Sequence, residues 1–248
     1  MSFAKLKITL CLVLLGGILA SKVDAQQRGV IIEEETTTPP LFGMPGSTGL
    51  TKTWMTEDKL RRDEGGKELS TIIRSDIGKI WLINHSDTTY NEMSREMFQG
   101  LAMMGLMMFG VTTDSVTGKP LIPDPLFQRT GRARKVQDWV CYELAVGSGE
   151  GFFGKMVEKF SMWVSKETGL EQGLYGRMMK KMMGELGGEY ETFFRQLEEI
   201  DGYPVMVETK AMGLEMIQKL KKFERCSIPA SIFELPQGYK KINGLFSE

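Results

Sequence analysis

The chain has one histidine, His85, in 248 residues, and only three cysteines. These shortages exclude several kinds of chemistry. A metal site built on imidazoles needs more than one histidine, and a Ser-His-Asp or Cys-His set would have to recruit His85 as its base. His85 lies between Asn84 and Ser86, in turn chemistry that suits a solvated residue, and no strand-to-helix nucleophile turn is spelled anywhere. Charge of one sign is also lacking. The formal net charge is −1 at pH 7, with no basic patch of the kind that tracks nucleic acid. Long apolar runs are absent too: after the first 25 residues nothing approaches the ~20 needed to span a bilayer. Residues 149–154 (GEGFFG) have the spelling of a dinucleotide loop, but strand-like text follows where a helix N-terminus would be needed, so they are expected to form a hairpin turn.

What is present begins with an export signal. Lys5 and Lys7 precede an apolar stretch at residues 8–19, and Val23-Asp24-Ala25 supplies small residues where a signal peptidase reads. Residues 1–25 are expected to be removed, leaving 26–248 as a single domain that is periplasmic or secreted. That remainder, about 223 residues, suffices for a real core. It keeps two cysteines, Cys141 and Cys226. In an oxidising compartment they are candidates for one disulfide; the alternative is two buried thiols behaving as small apolar residues.

Periodicity gives the organisation. Residues 26–38 suit a first strand, and residues 39–47 (PPLFGMPGS) a loop. From 48 to 93, turn chemistry recurs every ten residues or so between short apolar runs such as Lys79-Ile80-Trp81-Leu82-Ile83, the pattern of an antiparallel meander. Residues 94–109 change to a helical period and become apolar all round from Leu101, which places that helix inside the protein. Residues 110–134, with Pro120, Pro123 and Pro125, are expected to form a linker. Residues 135–146 and 155–165 alternate as strands. Two helices follow, 172–186 and 189–200, divided at Gly187-Gly188, the second with a Tyr190, Phe193, Phe194, Leu197 stripe. A strand restarts at Val205, residues 214–226 fit helix or strand equally, and residues 231–240 look extended.

Methionine is the conspicuous excess, at 18 residues. Met103, Met104, Met107 and Met108 repeat the spacing of Met178, Met179, Met182 and Met183, and helical geometry gathers each set into a thioether stripe. Leu174 falls on the half of the wheel that carries the second set; Arg177, Lys180 and Lys181 fall on the other. Three readings are open. The methionines fill a core; or, with Leu174, Phe160 and Met162, they line an adaptable apolar pocket; or they bind Cu(I) as soft ligands.

Several phrases carry a family resemblance: Met44-Pro45-Gly46; Ser70-Thr71-Ile72-Ile73 through Ile80-Trp81-Leu82-Ile83 to Thr89-Tyr90-Asn91-Glu92-Met93; the strand at residues 136–144; Met162-Trp163-Val164-Ser165; Gly202-Tyr203-Pro204-Val205; and Ile228-Pro229 through Phe233-Glu234-Leu235-Pro236 to Gly238-Tyr239. In these the chain resembles a bacterial exported family known as domain of unknown function 4412, itself similar to the periplasmic lipoprotein carriers (LolA-like). The resemblance implies an α+β fold: a strongly curved antiparallel open half-barrel sheet with helices packed on its concave face. It also implies that residues 214–226 are strand. The expected function is non-enzymatic and needs no cofactor: an apolar cavity between the sheet and the methionine-rich helices, holding a lipid or other hydrophobic ligand. The alternative is an envelope scaffold with a self-filled core that works through a protein partner.

Overall fold

A computed structural model describes residues 26–40, 46–65, 68–108, 111–146, 157–169, 173–184 and 186–242. The expected signal segment and the glycine-rich 149–154 lie outside the described residues. Six strands come first: β1 (Gln26–Thr38), β2 (Ser47–Met55), β3 (Lys59–Glu64), β4 (Leu69–Arg74), β5 (Lys79–Asn84) and β6 (Thr89–Met93). Helix α1 (Arg95–Met108) follows, then a small hairpin, β7 (Thr112–Thr113) with β8 (Pro120–Leu121). Strands β9 (Phe127–Val136), β10 (Trp139–Val146) and β11 (Val157–Ser165) lead to helices α2 (Gly173–Met183), α3 (Leu186–Glu189) and α4 (Glu191–Glu198). Strands β12 (Tyr203–Ala211) and β13 (Leu214–Pro229), a 3-10 turn at Ala230–Phe233 and β14 (Lys240–Lys241) complete the chain.

Twelve strands form one sheet in the order β14-β6-β5-β4-β3-β2-β1-β13-β12-β11-β10-β9. Every pairing is antiparallel except the two-residue β14–β6 contact. Among the described residues no pairing joins β9 to β14, so the sheet is not closed. The meander from β2 to β6 is built by its turns, and its register aligns alternate side chains into rows. Val30, Met55, Leu60, Ile73, Ile80 and Met93 oppose one another in succession across six strands. All are buried in the main apolar cluster. One residue along, Ile31, Trp54, Arg61, Ile72 and Trp81 make the matching row on the other face. The chain covers that second face itself: Ile232, Phe233, Leu235 and Tyr239 join Ile72, Trp81 and Ile83 in a separate apolar cluster. The cover is tied down by Arg74 donating to Glu234 at 2.5 Å and Arg61 to the Ile232 carbonyl at 3.4 Å.

In the other half of the sheet the second face is shielded by charged side chains. Arg134 stacks 3.8 Å from the Trp163 ring centre. Glu143, with a fully buried side chain, accepts from Arg132 Nε at 2.5 Å and Thr130 at 2.6 Å. At Glu208, burial raises the carboxyl, but donation from Lys159 and Arg134 outweighs it and holds the group down at about 2.

Several expectations are corrected. Residues 135–146 are not one strand: Gln137 takes a left-handed φ of 53° and a tight turn separates β9 from β10. The turn uses Gln-Asp instead of the usual glycine or asparagine, so nothing in its spelling announces it. The supposed linker 110–134 holds a hairpin and most of β9; that edge strand is exposed from Arg129 to Lys135 and therefore has no apolar alternation to read. Gly187-Gly188 lies within short helix α3 and does not divide two helices. The ending is a 3-10 turn before it is extended. Helix α1 is not wholly interior, since Met97 and Leu101 are exposed. The disulfide does not form. Cys141 and Cys226 are both free, and β11 and β12 intervene between β10 and β13. At ~4.8 Å per strand the three lateral steps alone put them at least ~14 Å apart, twice what a disulfide spans. Residues 214–226 are strand, as the resemblance implied.

Gln196 fastens the segment ahead of β9 to helix α4. Buried itself, it accepts from the Leu126 amide at 2.6 Å and donates to the Pro123 carbonyl at 2.9 Å. Gln196→Leu should cost roughly 1–3 kcal/mol, because the Leu126 amide then has no acceptor in a dry site. Urea denaturation of the two proteins measures it directly.

Candidate functional site

The methionines divide by depth. In α2 the 3.6-residue period sends Met178, Met182 and Met183 into the main cluster at 1% exposure or less, while Met179 is half-buried against it. On α1, Met103 is half-buried and its sulfur receives the Tyr190 hydroxyl. Met107 is half-buried as well, and the side chains of Met104 and Met108 lie outside the described residues. Gln99 of α1 donates to the Met183 carbonyl at 2.8 Å, joining the two methionine-bearing helices. On β11, Met162 is buried and Phe160 half-buried. Met103, Phe160, Met162, Met178, Met179, Met182 and Met183 thus belong to the packed interior.

The space that does exist is beside them. A cavity of about 240 Å³ is lined by Val30, Ile32 and Met55 of the sheet, Leu174 and Arg177 of α2, Tyr203 of β12 and Arg225 of β13. Of the pocket candidates whose side chains are described, only Leu174 lines it. Met55, Tyr203 and the two arginines escaped the sequence reading. Met55 was readable in principle as the residue opposite Val30. The arginines had no signal, because polar residues on an amphipathic helix or a long strand are ordinarily solvated.

A buried polar group sits on the same strand. Glu34 lies two residues beyond Ile32 on β1 and is 8% exposed. Burial pushes its carboxyl above the ordinary value, against the pull of Arg62 and hydrogen bonds from Gln218 and Tyr203. Arg62 Nη1 lies 3.8 Å away. The Tyr203 phenol is in turn pushed well above its ordinary value by burial and by Glu34.

A second cavity, of about 420 Å³, lies between Glu64, Leu69–Thr71 of β4, Leu82–Asn84 of β5, Asp87, Thr89–Asn91 of β6, and Ile242. Its polar groups are engaged with one another: Asn84 donates to Asp87 at 3.2 Å, Thr89 to Asp87 at 2.5 Å, and Asn91 to the Ile242 carbonyl at 3.5 Å.

His85 is not a solvated turn residue. Its Nε2 lies 2.7 Å from Ser70 Oγ, and its Nδ1 lies 2.8 Å from the Tyr239 hydroxyl. Ser70 gives its one proton to Asp63 at 2.7 Å, so Nε2 of the imidazole carries a hydrogen and donates to Ser70, and a neutral ring then accepts from Tyr239 at Nδ1. That polarity is the reverse of a nucleophile–base pair, in which the imidazole accepts from the serine. The chain of bonds fastens the C-terminal cover to the turn.

An open, almost wholly antiparallel sheet with a few helices and a small half-apolar cavity beside the longest strand pairing defines an α+β domain. The chain belongs to the family described as domain of unknown function DUF4412, whose profile matches residues 43–239. No curated protein matches the sequence. Among solved structures, an uncharacterized conserved protein from Thermus thermophilus aligns at 7% identity and a TM-score of 0.47, over 86% of this chain and 89% of its own. PNGF-II aligns at 8% identity and a TM-score of 0.40, over 88% of this chain and 31% of its own. A LolA superfamily protein from Nitrosomonas europaea aligns at 9% identity and a TM-score of 0.34, over 87% of this chain and 94% of its own.

Two measurements test this placement of side chains. Met182→Ala should cost about 2–5 kcal/mol, as for a fully buried methionine, and Met179→Ala clearly less; equal losses in chemical denaturation would mean that α2 is turned differently. For Glu34, the folded carboxyl titrates above 4.5, so the folded state binds more protons than the unfolded one over the interval above that value. Stability therefore falls as pH rises through the interval. Glu34→Gln should raise stability at pH 7 and have a smaller effect at pH 4, as read from denaturation midpoints at each pH.

Proposed function

We propose that the protein is exported, is not an enzyme, and binds a hydrophobic ligand or lipid in the cavity beneath α2. On this reading residues 1–25 direct it to the periplasm or beyond, the sheet curves into a half-barrel, and the helices pack on the concave face. The observation that carries the proposal is the cavity itself: three buried apolar side chains of the sheet, Val30, Ile32 and Met55, face a helix wall at Leu174. At about 240 Å³ it is somewhat below the ~300–1,000 Å³ usual for small-molecule sites. A larger ligand would enter by displacing α2, whose contact side chains are mostly methionines, flexible enough to repack. Among the described residues no helix is long and apolar enough to cross a membrane.

A second reading, a scaffold that fills its own core and acts through an envelope protein partner, is favoured by the complete burial of Met178, Met182 and Met183. The same burial counts against Cu(I), since an ion would have to enter a packed interior.

Uptake of the neutral apolar probe N-phenyl-1-naphthylamine, followed by fluorescence, separates these readings. The protein should bind the probe at micromolar levels, and Leu174→Trp, which fills the cavity, should weaken binding at least about tenfold while leaving the melting transition in place. No uptake by the unsubstituted protein would leave the scaffold reading. Stoichiometric Cu(I) binding that Met→Leu changes abolish would replace both.

A further inference from the structure

The two cavities open on the same face of the sheet. Val30, Met55 and Leu60 turn toward the main apolar cluster and the helices. Two residues along each strand, the register sets Ile32, Thr53, Arg62, Thr71, Leu82 and Asn91 in a second row on that face. Two further along, Glu64, Leu69, Asn84 and Thr89 make a third. The first cavity takes Ile32 from the second row; the larger one takes Thr71, Leu82 and Asn91 from it, together with the third row. Only Thr53 and Arg62 stand between Ile32 and Thr71, so three strand steps, ~14 Å, lead from one cavity to the other.

The strip between them lies beneath α2 as well. Thr53 is buried, Arg62 Nη1 stands 3.8 Å from Glu34, and Tyr175, next to Leu174 on α2, is close enough to feel both charges. The displacement of α2 that would admit a larger ligand to the first cavity would therefore open the way along the row.

The second cavity, at about 420 Å³, falls within the ~300–1,000 Å³ of small-molecule sites. Its lining mixes Leu69, Leu82 and Ile242 with uncharged polar side chains. The two charged residues, Glu64 and Asp87, are acidic, and no lysine or arginine lines it. The internal bonds leave capacity: Asn84 gives Asp87 one amide hydrogen of two, and Asp87 accepts three bonds where a carboxylate takes about four. Donors beside acceptors suit a hydroxyl, which is both, and two carboxyl groups disfavour an anion.

We infer that the second cavity holds the head group of the ligand whose chain lies beneath α2, and that this ligand is a single-chain amphiphile with an uncharged, hydroxyl-bearing head. The inference rests on the proposed binding role and adds the ligand's chemical class and length. An extended chain advances ~3.5 Å per three bonds, so twelve carbons cover about 13 Å and eight only about 8 Å.

Displacement of N-phenyl-1-naphthylamine from the purified protein tests this, with every competitor below its aggregation threshold. 1-Monolaurin should displace the probe at about tenfold lower concentration than methyl laurate, the yield of hydrogen bonds from its two hydroxyls. Laurate should do no better than methyl laurate, and the eight-carbon glyceride no better than its own methyl ester. Leu69→Trp, at a position 41% exposed and so tolerant of bulk, should fill the second cavity. It should bring 1-monolaurin to the level of methyl laurate without changing probe affinity or melting temperature; Thr71→Phe should do the same from the adjoining row. Equal displacement by the two laurate esters in the unsubstituted protein would overturn the inference and leave the first cavity standing. A preference that survives both substitutions, or that the eight-carbon pair shares, would overturn it by placing the head elsewhere. Laurate matching 1-monolaurin would overturn the selection of an uncharged head. If the probe does not bind at all, the binding role itself fails.

Discussion

The pairing of β1 with β13 is the constraint on which the rest of the sheet depends. Among the described residues it is the longest ladder, running from Gln26 opposite Pro229 to Thr37 opposite Ile217, with one irregularity at Glu33/Glu34. On one side of it the strands β2 to β6 follow in chain order; on the other, β12 back to β9 run in reverse order. Each set pairs strands that are consecutive in the chain, β2 to β6 through short turns and β11 with β12 across the helices between them. Only β1 and β13 join them, across most of the chain length. Such a contact must overcome a large loop-closure entropy before it contributes anything, so the two halves are expected to organise before the seam closes.

The site follows from that seam. Val30 and Ile32 come from β1, Arg225 from β13, Met55 from the strand beyond β1 and Tyr203 from the strand beyond β13. Among the described residues none from the outlying strands takes part. The bulge at Glu33/Glu34 lies in the same stretch, and it is where a buried carboxyl replaces the aliphatic side chains of the row. The cavity is thus lined by residues far apart in sequence, with α2 supplying the remaining wall through Leu174 and Arg177.

This explains what the sequence could and could not reveal. The first six strands were legible because turn residues recur at short intervals and because Val30, Ile32, Ile73 and Ile80 sit in short apolar runs between them. The Tyr190, Phe194 and Leu197 stripe was legible for the same reason at the helical period, and those residues are buried. Strand β9 was not, because it is an exposed edge and no apolar face was required of it. The register between β1 and β13 has no local signature, so neither the position of the cavity nor its arginines could be read. The methionine excess pointed to the right helices but to the wrong surface: thioethers that pack a core and thioethers that line a space have the same spacing, and only the three-dimensional packing distinguishes them.

An open sheet leaves two rims, and the chain treats them differently. At one rim β14 adds a two-residue cap to β6. At the other, β9 carries Arg129, Arg132, Arg134 and Lys135 along a strand that is solvent-exposed almost throughout. Backbone donors and acceptors on a bare edge invite another molecule's strand, and a row of like charges makes a second copy of the same edge a poor partner. The arginines that shield Trp163 and Glu143 thus have a colloidal consequence: they let a twelve-stranded sheet remain unsealed in solution without becoming the start of a fibre.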